Sequence, residues 1–179
     1  MITICDTGPL VAYLNRNDPY HAWAVALMKQ VRSPMLTTEP VLTEVAYFLR
    51  TDRVDVDPLF QLIERDAVRV DLQVAAHWPR LRTLMARYEQ MDLADASIVV
   101  MSERHPRSQV LTVDRTDFSI YRRNDRQVID VVAPPEIVER LSQTPRRPAW
   151  RGCIGPCKRS HETGRREFPS AARSDAATI

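Results

Sequence analysis

The sequence predicts an α/β domain with a central, mainly parallel sheet of four or five strands flanked by helices. Short apolar runs alternate along the chain with longer stretches in which apolar residues recur at helical spacing. Strands separated by helices are typical of parallel pairing through crossover connections. The 179 residues suffice for one ordinary domain and its core. We expect a folded domain over residues 1–142 and a Pro/Arg-rich, disordered tail over residues 143–179, where apolar periodicity ends.

The first half of the domain alternates between the two kinds of element. A short apolar strand is predicted at Ile2–Cys5, and Gly8–Pro9 then helps to open a helix. The third predicted helix begins at Thr38–Pro40, because proline is favoured in the first turn of a helix. The remaining elements expected here are helices at about 20–31 and 58–65 and strands at 35–37 and 68–72.

The second half of the domain continues the same pattern. A long helix is predicted from about Val74 to Tyr88, and a further helix contains the stretch MDLADASIVV and runs to about Arg104. A strand at Val110–Val113 ends in Asp114, and the last strand is predicted at about 128–132.

The composition is that of a soluble globular protein, with 44% hydrophobic and 27% charged residues. No apolar run approaches the ~20 residues of a membrane span, and the N-terminus lacks the basic segment of a signal peptide. The three cysteines have no framework spacing, so we expect a reducing compartment and a cytoplasmic protein. Cys5 is expected to be a small core residue, whereas Cys153, Cys157 and His161 form only a weak zinc motif.

Two residue types are scarce, and their scarcity excludes several functions. Gly8 is the single glycine before the tail, which excludes a Walker A loop and a GxGxxG dinucleotide turn. Lys29 and Lys158 are the two lysines, so a mechanism that needs a core lysine has no candidate. The tail carries a net charge of +5 and residues 1–142 a net charge of −3. Overall attraction is therefore not the means by which this domain would bind nucleic acid.

Four acidic residues are expected to face one end of the sheet. Asp6 and Asp114 directly follow strands, and ligands in open α/β sheets bind at the carboxyl ends of strands. Glu44 and Asp95 lie on helices beside apolar residues at helical spacing, so both lean inward. Clustered carboxylates repel one another unless a cation lies between them. Oxygen-rich clusters of this kind suit Mg²⁺ or Mn²⁺, and Asp92 is an auxiliary candidate beside Asp95.

Each of these acids also has a purely structural interpretation. Asp6 precedes a helix and Asp92 another, so either side chain can serve as an N-cap. Asp114 can be a turn residue, with Asp117 capping a helix nearby. Glu44 can be a surface acid whose stem packs on apolar neighbours. Taken together, these interpretations leave four inward-leaning acids without a cation.

Four stretches of the sequence carry a resemblance to a known family. DTGPLVAYL after the first strand, LTEVAYFL, LADASIVV, and LTVDRTDF after a later strand resemble the successive motifs of the PIN domain, in particular those of VapC-type toxins. The resemblance covers about residues 1–134. It implies a Mg²⁺- or Mn²⁺-dependent endoribonuclease with Asp6, Glu44, Asp95 and Asp114 as its acidic quartet. It also implies a homodimer and neutralisation by a cognate VapB-type antitoxin.

Three positions within or near the motifs add to this resemblance or depart from it. Thr112 matches a Ser/Thr that is common near the metal site of the family. Gly8 stands where many relatives have asparagine, so a polar contact near the site is absent. Asp117 lies close to Asp114, and either of them can complete the site.

Basic residues follow the last of these motifs, and they are the candidates for contacts with RNA. They are Arg115, Arg122, Arg123 and Arg126. Such a cluster can hold the phosphates of a strand that crosses an acidic face. A solvated basic turn explains the same residues equally well.

Two other classes of function compete with a ribonuclease. A PIN-fold interaction module would keep the fold and a partner groove without catalysis. Aspartyl-phosphate phosphatases also begin with an aspartate after a strand, but they need a second acid two residues later, where this chain has Gly8. They also need a core lysine, so this class is the least favoured.

Overall fold

A computed structural model of the protein describes residues 1–135. The predicted tail over residues 143–179 and the weak zinc motif of Cys153, Cys157 and His161 lie outside the described residues. The predicted domain boundary at residue 142 lies outside them as well.

Residues 1–135 form a five-stranded sheet and a separate two-stranded hairpin. The strands in chain order are β1 (Ile2–Cys5), β2 (Met35–Thr37), β3 (Val68–Val70), β4 (Ser108–Leu111), β5 (Arg122–Arg123), β6 (Gln127–Val128) and β7 (Asp130–Val132). The sheet has the order β3-β2-β1-β4-β7 and every pairing in it is parallel, which confirms the predicted fold class. Strands β5 and β6 pair antiparallel.

The strand order creates one topological switch point. The chain moves from β1 outward through β2 to β3 on one side, and from β4 to β7 on the other. The carboxyl ends of β1 and β4 are therefore neighbours, with Cys5 in register with Leu111. This crevice is the place where open α/β sheets bind their ligands.

Seven α-helices in the described part of the chain connect and cover these strands. They are α1 (Thr7–Leu14), α2 (His21–Met28), α3 (Glu39–Thr51), α4 (Asp57–Glu64), α5 (Trp78–Arg87), α6 (Leu93–Arg104) and α7 (Arg115–Ile120). None of the helices in residues 1–135 is both long and apolar enough to span a membrane.

The predicted helix over residues 74–88 is wrong at its start. Val74–Ala76 is a 3₁₀ turn, and α5 begins only at Trp78. His77 interrupts the two with φ −120° and ψ 11°, outside helical geometry. Pro79 then lies in the first turn of α5, where a missing backbone N–H costs no helical hydrogen bond.

The predicted strands after α6 are also partly wrong. β4 lies two residues before the predicted range 110–113, because the Thr112 hydroxyl accepts a hydrogen bond from the Asp114 N–H at 2.9 Å and the chain turns there. The predicted strand at 128–132 is divided between β6 and β7. Helix α7 and the hairpin were not predicted, because they are short and lack apolar periodicity.

The core explains why α6 is apolar around most of its circumference. Residues Ile98 to Met101 are all buried, so this helix is enclosed by the sheet and its neighbouring helices. Ile4 and Val110 on the central strands are fully buried. Cys5 is a buried free thiol, as predicted.

Arg123 attaches the hairpin to the end of α6. Its side chain is buried, and its guanidinium donates to the carbonyl oxygens of Pro106 at 2.6 Å and Ser102 at 3.3 Å. The carbonyls at the end of a helix have no partner within the helix. Arg123 therefore donates to one carbonyl in the last turn of α6 and to one just beyond its end, and it holds β5 against the helix.

An ion-pair network makes a second connection at the same place. Arg80 of α5 pairs with Glu103 of α6 at 2.7 Å and with Asp125 of the hairpin at 3.1 Å. Glu103 also accepts the backbone N–H of Asn124 at 2.9 Å. Asn124 and Asp125 have positive φ angles of 47° and 65°, a turn conformation that these residue types tolerate.

We expect Arg123→Ala to lower the free energy of unfolding by about 2 to 3 kcal/mol, because charge-assisted hydrogen bonds to buried carbonyls are lost. Urea denaturation measures this change. Arg126→Ala is the matched control, since Arg126 is exposed, and it should change stability by less than about 0.5 kcal/mol. Equal effects of the two substitutions would contradict the anchoring role of Arg123.

A candidate active site at the carboxyl edge of the sheet

Asp6 lies at the switch point, where β1 ends. Its backbone N–H donates to the Leu111 carbonyl at 3.0 Å, so the residue is tied to β4. Its buried carboxylate accepts a hydrogen bond from the Thr112 hydroxyl at 2.7 Å. Asp6 occupies the N-cap position of α1, yet its side chain makes no capping hydrogen bond. The N-cap interpretation therefore does not explain this carboxylate.

Glu44 approaches the same edge from α3. Its Oε2 accepts a hydrogen bond from the Thr7 hydroxyl at 2.8 Å, and Thr7 directly follows Asp6 in the chain. The side chain is half-buried, so Glu44 is not a freely solvated surface acid.

Asp95 stands in the first turn of α6, and Asp92 is the N-cap of that helix. The Asp92 carboxylate accepts the Asp95 backbone N–H at 2.9 Å, which confirms the predicted capping role. Asp95 is half-buried, and its Oδ2 accepts a hydrogen bond from the Tyr121 hydroxyl at 2.9 Å.

Asp114 and Asp117 follow β4 at the rim of the site. Asp114 is exposed and caps α7 by accepting the Asp117 backbone N–H at 2.9 Å. Its negative charge raises the pKa of Asp6, whereas the charge of Asp117 raises the pKa of Asp95. Asp114 and Asp117 thus affect the pKa values of different carboxylates in the cluster, and either of them can complete the site.

The pKa values show how strongly these carboxylates are desolvated. Burial raises the pKa of Asp6 to about 6, against the hydrogen bonds from Thr112 and the Thr7 backbone. Burial, followed by the charge of Asp92, raises the pKa of Glu44 to about 7. Burial, followed by the charges of Asp92 and Asp6, raises the pKa of Asp95 to about 9. These carboxylates lie close enough to disfavour one another's ionised forms.

The donors that satisfy these carboxylates are neutral hydroxyl groups. Within residues 1–135, no arginine, lysine or histidine forms an ion pair with Asp6, Glu44 or Asp95. Burial, followed by the charge of Asp95, raises the pKa of Tyr121 above its ordinary value, so its hydroxyl keeps its proton.

The donor set fits a hard divalent cation in its chemistry. It consists of carboxylate oxygens whose ionised forms are destabilised without a positive charge. In the described part of the chain, no group of three or more His, Cys, Asp or Glu side chains is arranged to hold a metal ion as it stands. Mg²⁺ usually binds through one or two carboxylates and several waters, so it does not require such a group.

The arginines that were candidates for RNA contacts are not equivalent. Arg123 is buried against the carbonyls of α6 and faces no solvent. Arg122 is half-buried and donates to the carbonyls of Ser119 and Tyr121. Arg115 is exposed at the start of α7, directly after Asp114.

Two residues of the site were not found from the sequence. Thr7 lies within the motif DTGPLVAYL, which does not distinguish it from its neighbours, and its hydroxyl donates to Glu44. Tyr121 gave no signal, because it lies between a helix and a hairpin that were not predicted. A search for hydroxyl residues next to predicted acids would have found Thr7 but not Tyr121.

Gly8 is required by the packing of the site. A Cβ atom built on Gly8 would lie 2.3 Å from Val113 Cγ2 and 3.1 Å from Val113 Cβ. The contact with Cγ2 is too close, the contact with Cβ is tight, and a branched side chain has little room to turn away. Val113 thus leaves little room for a side chain at position 8.

We expect Gly8→Ala to lower the free energy of unfolding by about 1 to 3 kcal/mol, the usual cost of overpacking. In a Val113→Ala background, where the obstructing side chain is smaller, Gly8→Ala should lower the free energy of unfolding much less than it does in the wild type. Thermal denaturation of the four proteins gives the coupling energy. Additive effects would show that Val113 is not the obstacle.

The raised carboxyl pKa values predict how stability depends on pH in the presence of EDTA. Between the unfolded and folded pKa values, the folded protein binds more protons than the unfolded chain, so stability falls as the pH rises. We expect the free energy of unfolding to fall from about pH 5 to about pH 8. Asp95→Asn replaces the carboxyl group whose pKa is about 9, so the folded protein no longer has to hold this group protonated at a pH where the unfolded chain ionises it. The variant should be more stable than the wild type at pH 8 by roughly 1 kcal/mol or more. Wild-type stability that rises over this range would contradict the prediction.

Comparison with known proteins finds a relative by sequence. The chain is 27% identical over 124 residues to ribonuclease VapC26 of Mycobacterium tuberculosis (strain ATCC 25618 / H37Rv), a match that covers 66% of this chain and 91% of that protein. No family model matches the chain. The relative confirms the resemblance that the four motifs indicate, and the chain is similar to the VapC-type ribonucleases with a PIN domain.

Proposed function

We propose that this protein is a Mg²⁺- or Mn²⁺-dependent endoribonuclease that cleaves RNA phosphodiester bonds. The observation that carries the proposal is the cluster of desolvated, mutually repelling carboxylates at the switch point of the sheet. Asp6, Glu44 and Asp95 have raised pKa values and no cationic partner in residues 1–135. Similarity to a ribonuclease supports the same reaction class.

The proposed roles of the residues follow from their contacts. Asp6 and Asp95 hold the cation, with Glu44 and either Asp114 or Asp117 completing the site. When bound, the cation supplies Lewis acidity for the attack of water on a phosphodiester. Thr112 orients Asp6 by donating a hydrogen bond to its carboxylate, and Thr7 orients Glu44 in the same way.

Arg115 is the best-placed candidate to bind the RNA backbone. It is exposed and adjacent in sequence to Asp114. Phosphate contacts position a nucleic acid without reading its sequence. We propose that Arg115 holds a phosphate beside the acidic cluster, with Arg122 as a secondary candidate.

The biological role that we propose is that of a toxin in a VapBC-type toxin–antitoxin pair. The resemblance to VapC-type toxins supports a cognate VapB-type antitoxin, a homodimer and action in the cytoplasm. Exposed apolar side chains, among them Tyr47, Phe60 and Trp78, are consistent with contacts between protein chains.

A PIN-fold interaction module without catalysis is the second candidate. The observation that favours it is the lack of a group of three metal-ligating side chains in residues 1–135. Calorimetry with Mn²⁺ separates the two functions, because a nuclease should bind the ion and Asp95→Asn should weaken the binding. No binding in either protein would favour the interaction module.

We expect Asp6→Ala and Asp95→Ala each to reduce RNA cleavage by more than about 100-fold, which exceeds the typical effect of changing a group that only orients a ligand. The assay uses the full chain, free of antitoxin, with Mg²⁺ or Mn²⁺, and EDTA should abolish cleavage. Glu64→Ala, at an exposed acid of α4, is the matched control and should retain activity. Intact RNA in the wild-type reaction would overturn the proposal. Circular dichroism establishes that each variant is folded.

A further inference from the structure

Tyr121 is a buried residue that contacts a carboxylate of the site. Its side chain has no exposed surface, and its hydroxyl donates to Asp95 Oδ2 at 2.9 Å. Neither the motifs nor the comparisons assign a role to this residue. The hydrogen bond links the core to a carboxylate in the first turn of α6.

Two neighbouring rings fix the plane of the Tyr121 ring. Tyr88 lies with its ring centroid 5.2 Å away at 62°, and Phe118 lies 5.4 Å away at 71°. Both are edge-to-face contacts, the favoured arrangement for aromatic pairs. With its ring held on two sides, Tyr121 presents its hydroxyl in one direction.

The backbone of Tyr121 is fixed as well. Its N–H donates to the Asp117 carbonyl at 3.2 Å at the end of α7, and the next residues form β5. Arg123, two residues later, anchors β5 to the end of α6. Asp95 lies in the first turn of that same helix. The helix that carries the carboxylate and the segment that carries its donor are therefore held together at a second point.

We propose that Tyr121 is a positioning residue, which holds the Asp95 carboxylate in the orientation that binds the divalent cation. This inference rests on the proposed function. With Oδ2 tied to a rigid hydroxyl, the carboxylate cannot rotate without losing a hydrogen bond in a desolvated place. A neutral donor fixes the geometry and leaves the full negative charge for the ion. Removal of a hydrogen bond of this kind to a ligand carboxylate typically lowers metal affinity or activity by about 10- to 100-fold.

The molecule offers a matched control in Tyr88. Its hydroxyl is also buried, yet it has no hydrogen-bond partner in the described part of the chain. Tyr88→Phe and Tyr121→Phe each remove one buried oxygen atom and keep the aromatic ring. They differ in whether that oxygen contacts Asp95.

The experiment measures Mn²⁺ binding to the full chain by electron paramagnetic resonance, which counts free ions and does not depend on activity. We expect Tyr121→Phe to weaken Mn²⁺ affinity by roughly tenfold or more and Tyr88→Phe to change it by less than about twofold. Cleavage by Tyr121→Phe should recover when the concentration of Mn²⁺ is raised. In an Asp95→Asn background, Tyr121→Phe should have little further effect on binding.

Three results would overturn the inference. If Tyr121→Phe binds Mn²⁺ as tightly as the wild type does, Tyr121 is a core residue only, and the proposed function stands. If both tyrosine variants weaken binding equally, the effect is one of packing. If the wild type neither binds Mn²⁺ nor cleaves RNA, the proposed function fails, and this inference fails with it. Thermal denaturation in EDTA measures the structural effect of each substitution separately.

Discussion

The carboxylates at the switch point repel one another, and no basic side chain in residues 1–135 pairs with them to neutralise this repulsion. Burial of Asp6 at the switch point, where its charge raises the pKa values of Glu44 and Asp95, places negative charge where water screens it weakly. A fold optimised for stability alone would place a guanidinium among these groups. In residues 1–135 the partners are the hydroxyls of Thr112, Thr7 and Tyr121 instead. Hydroxyl donors satisfy individual oxygen atoms without cancelling the charge of the cluster. The negative charge of the cluster is thereby left without a basic partner in residues 1–135.

This repulsion is offset elsewhere in the fold. Arginine side chains form ion pairs at the other end of α6 instead. There, Arg80 links α5, α6 and the hairpin through ion pairs with Glu103 and Asp125. Arg123 adds hydrogen bonds to the carbonyls at the far end of α6. The same helix therefore carries a destabilising carboxylate in its first turn and is anchored by cations at its end. Cations near a helix C-terminus also interact favourably with the helix dipole. Local violation of a stability rule at a site, with compensation nearby, is typical of functional proteins.

Much of the fold and part of the site could be predicted from the sequence, and the failures have physical reasons. The strand before Asp6 and the helices that carry Glu44 and Asp95 have strong apolar periodicity, so their elements were predicted correctly. The end of β4 was not, because a side chain decides it: the Thr112 hydroxyl bonds the Asp114 backbone, and apolar periodicity does not report such a contact. From the sequence alone, Arg123 could not be distinguished from Arg122 and Arg126 as a candidate for RNA contacts. Its burial depends on the carbonyls of a helix that ends 19 residues earlier, at Arg104.

The same reasoning explains why the acids were easier to find than the groups that orient them. Several acids that each follow a strand or lean inward from a helix are conspicuous together, although capping or a turn explains each one singly, whereas threonine and tyrosine are ordinary core and rim residues. Orientation is a property of three-dimensional packing: Tyr121 reaches Asp95 only because Tyr88, Phe118 and the hairpin fix it. A site that relied on arginine or lysine for orientation would have required a basic side chain beside the acids, and that side chain would have occupied carboxylate oxygen atoms. The donors to the acidic cluster are thus neutral although the domain has many arginines, so the protein fixes the geometry of the carboxylates and leaves their charge uncompensated within residues 1–135.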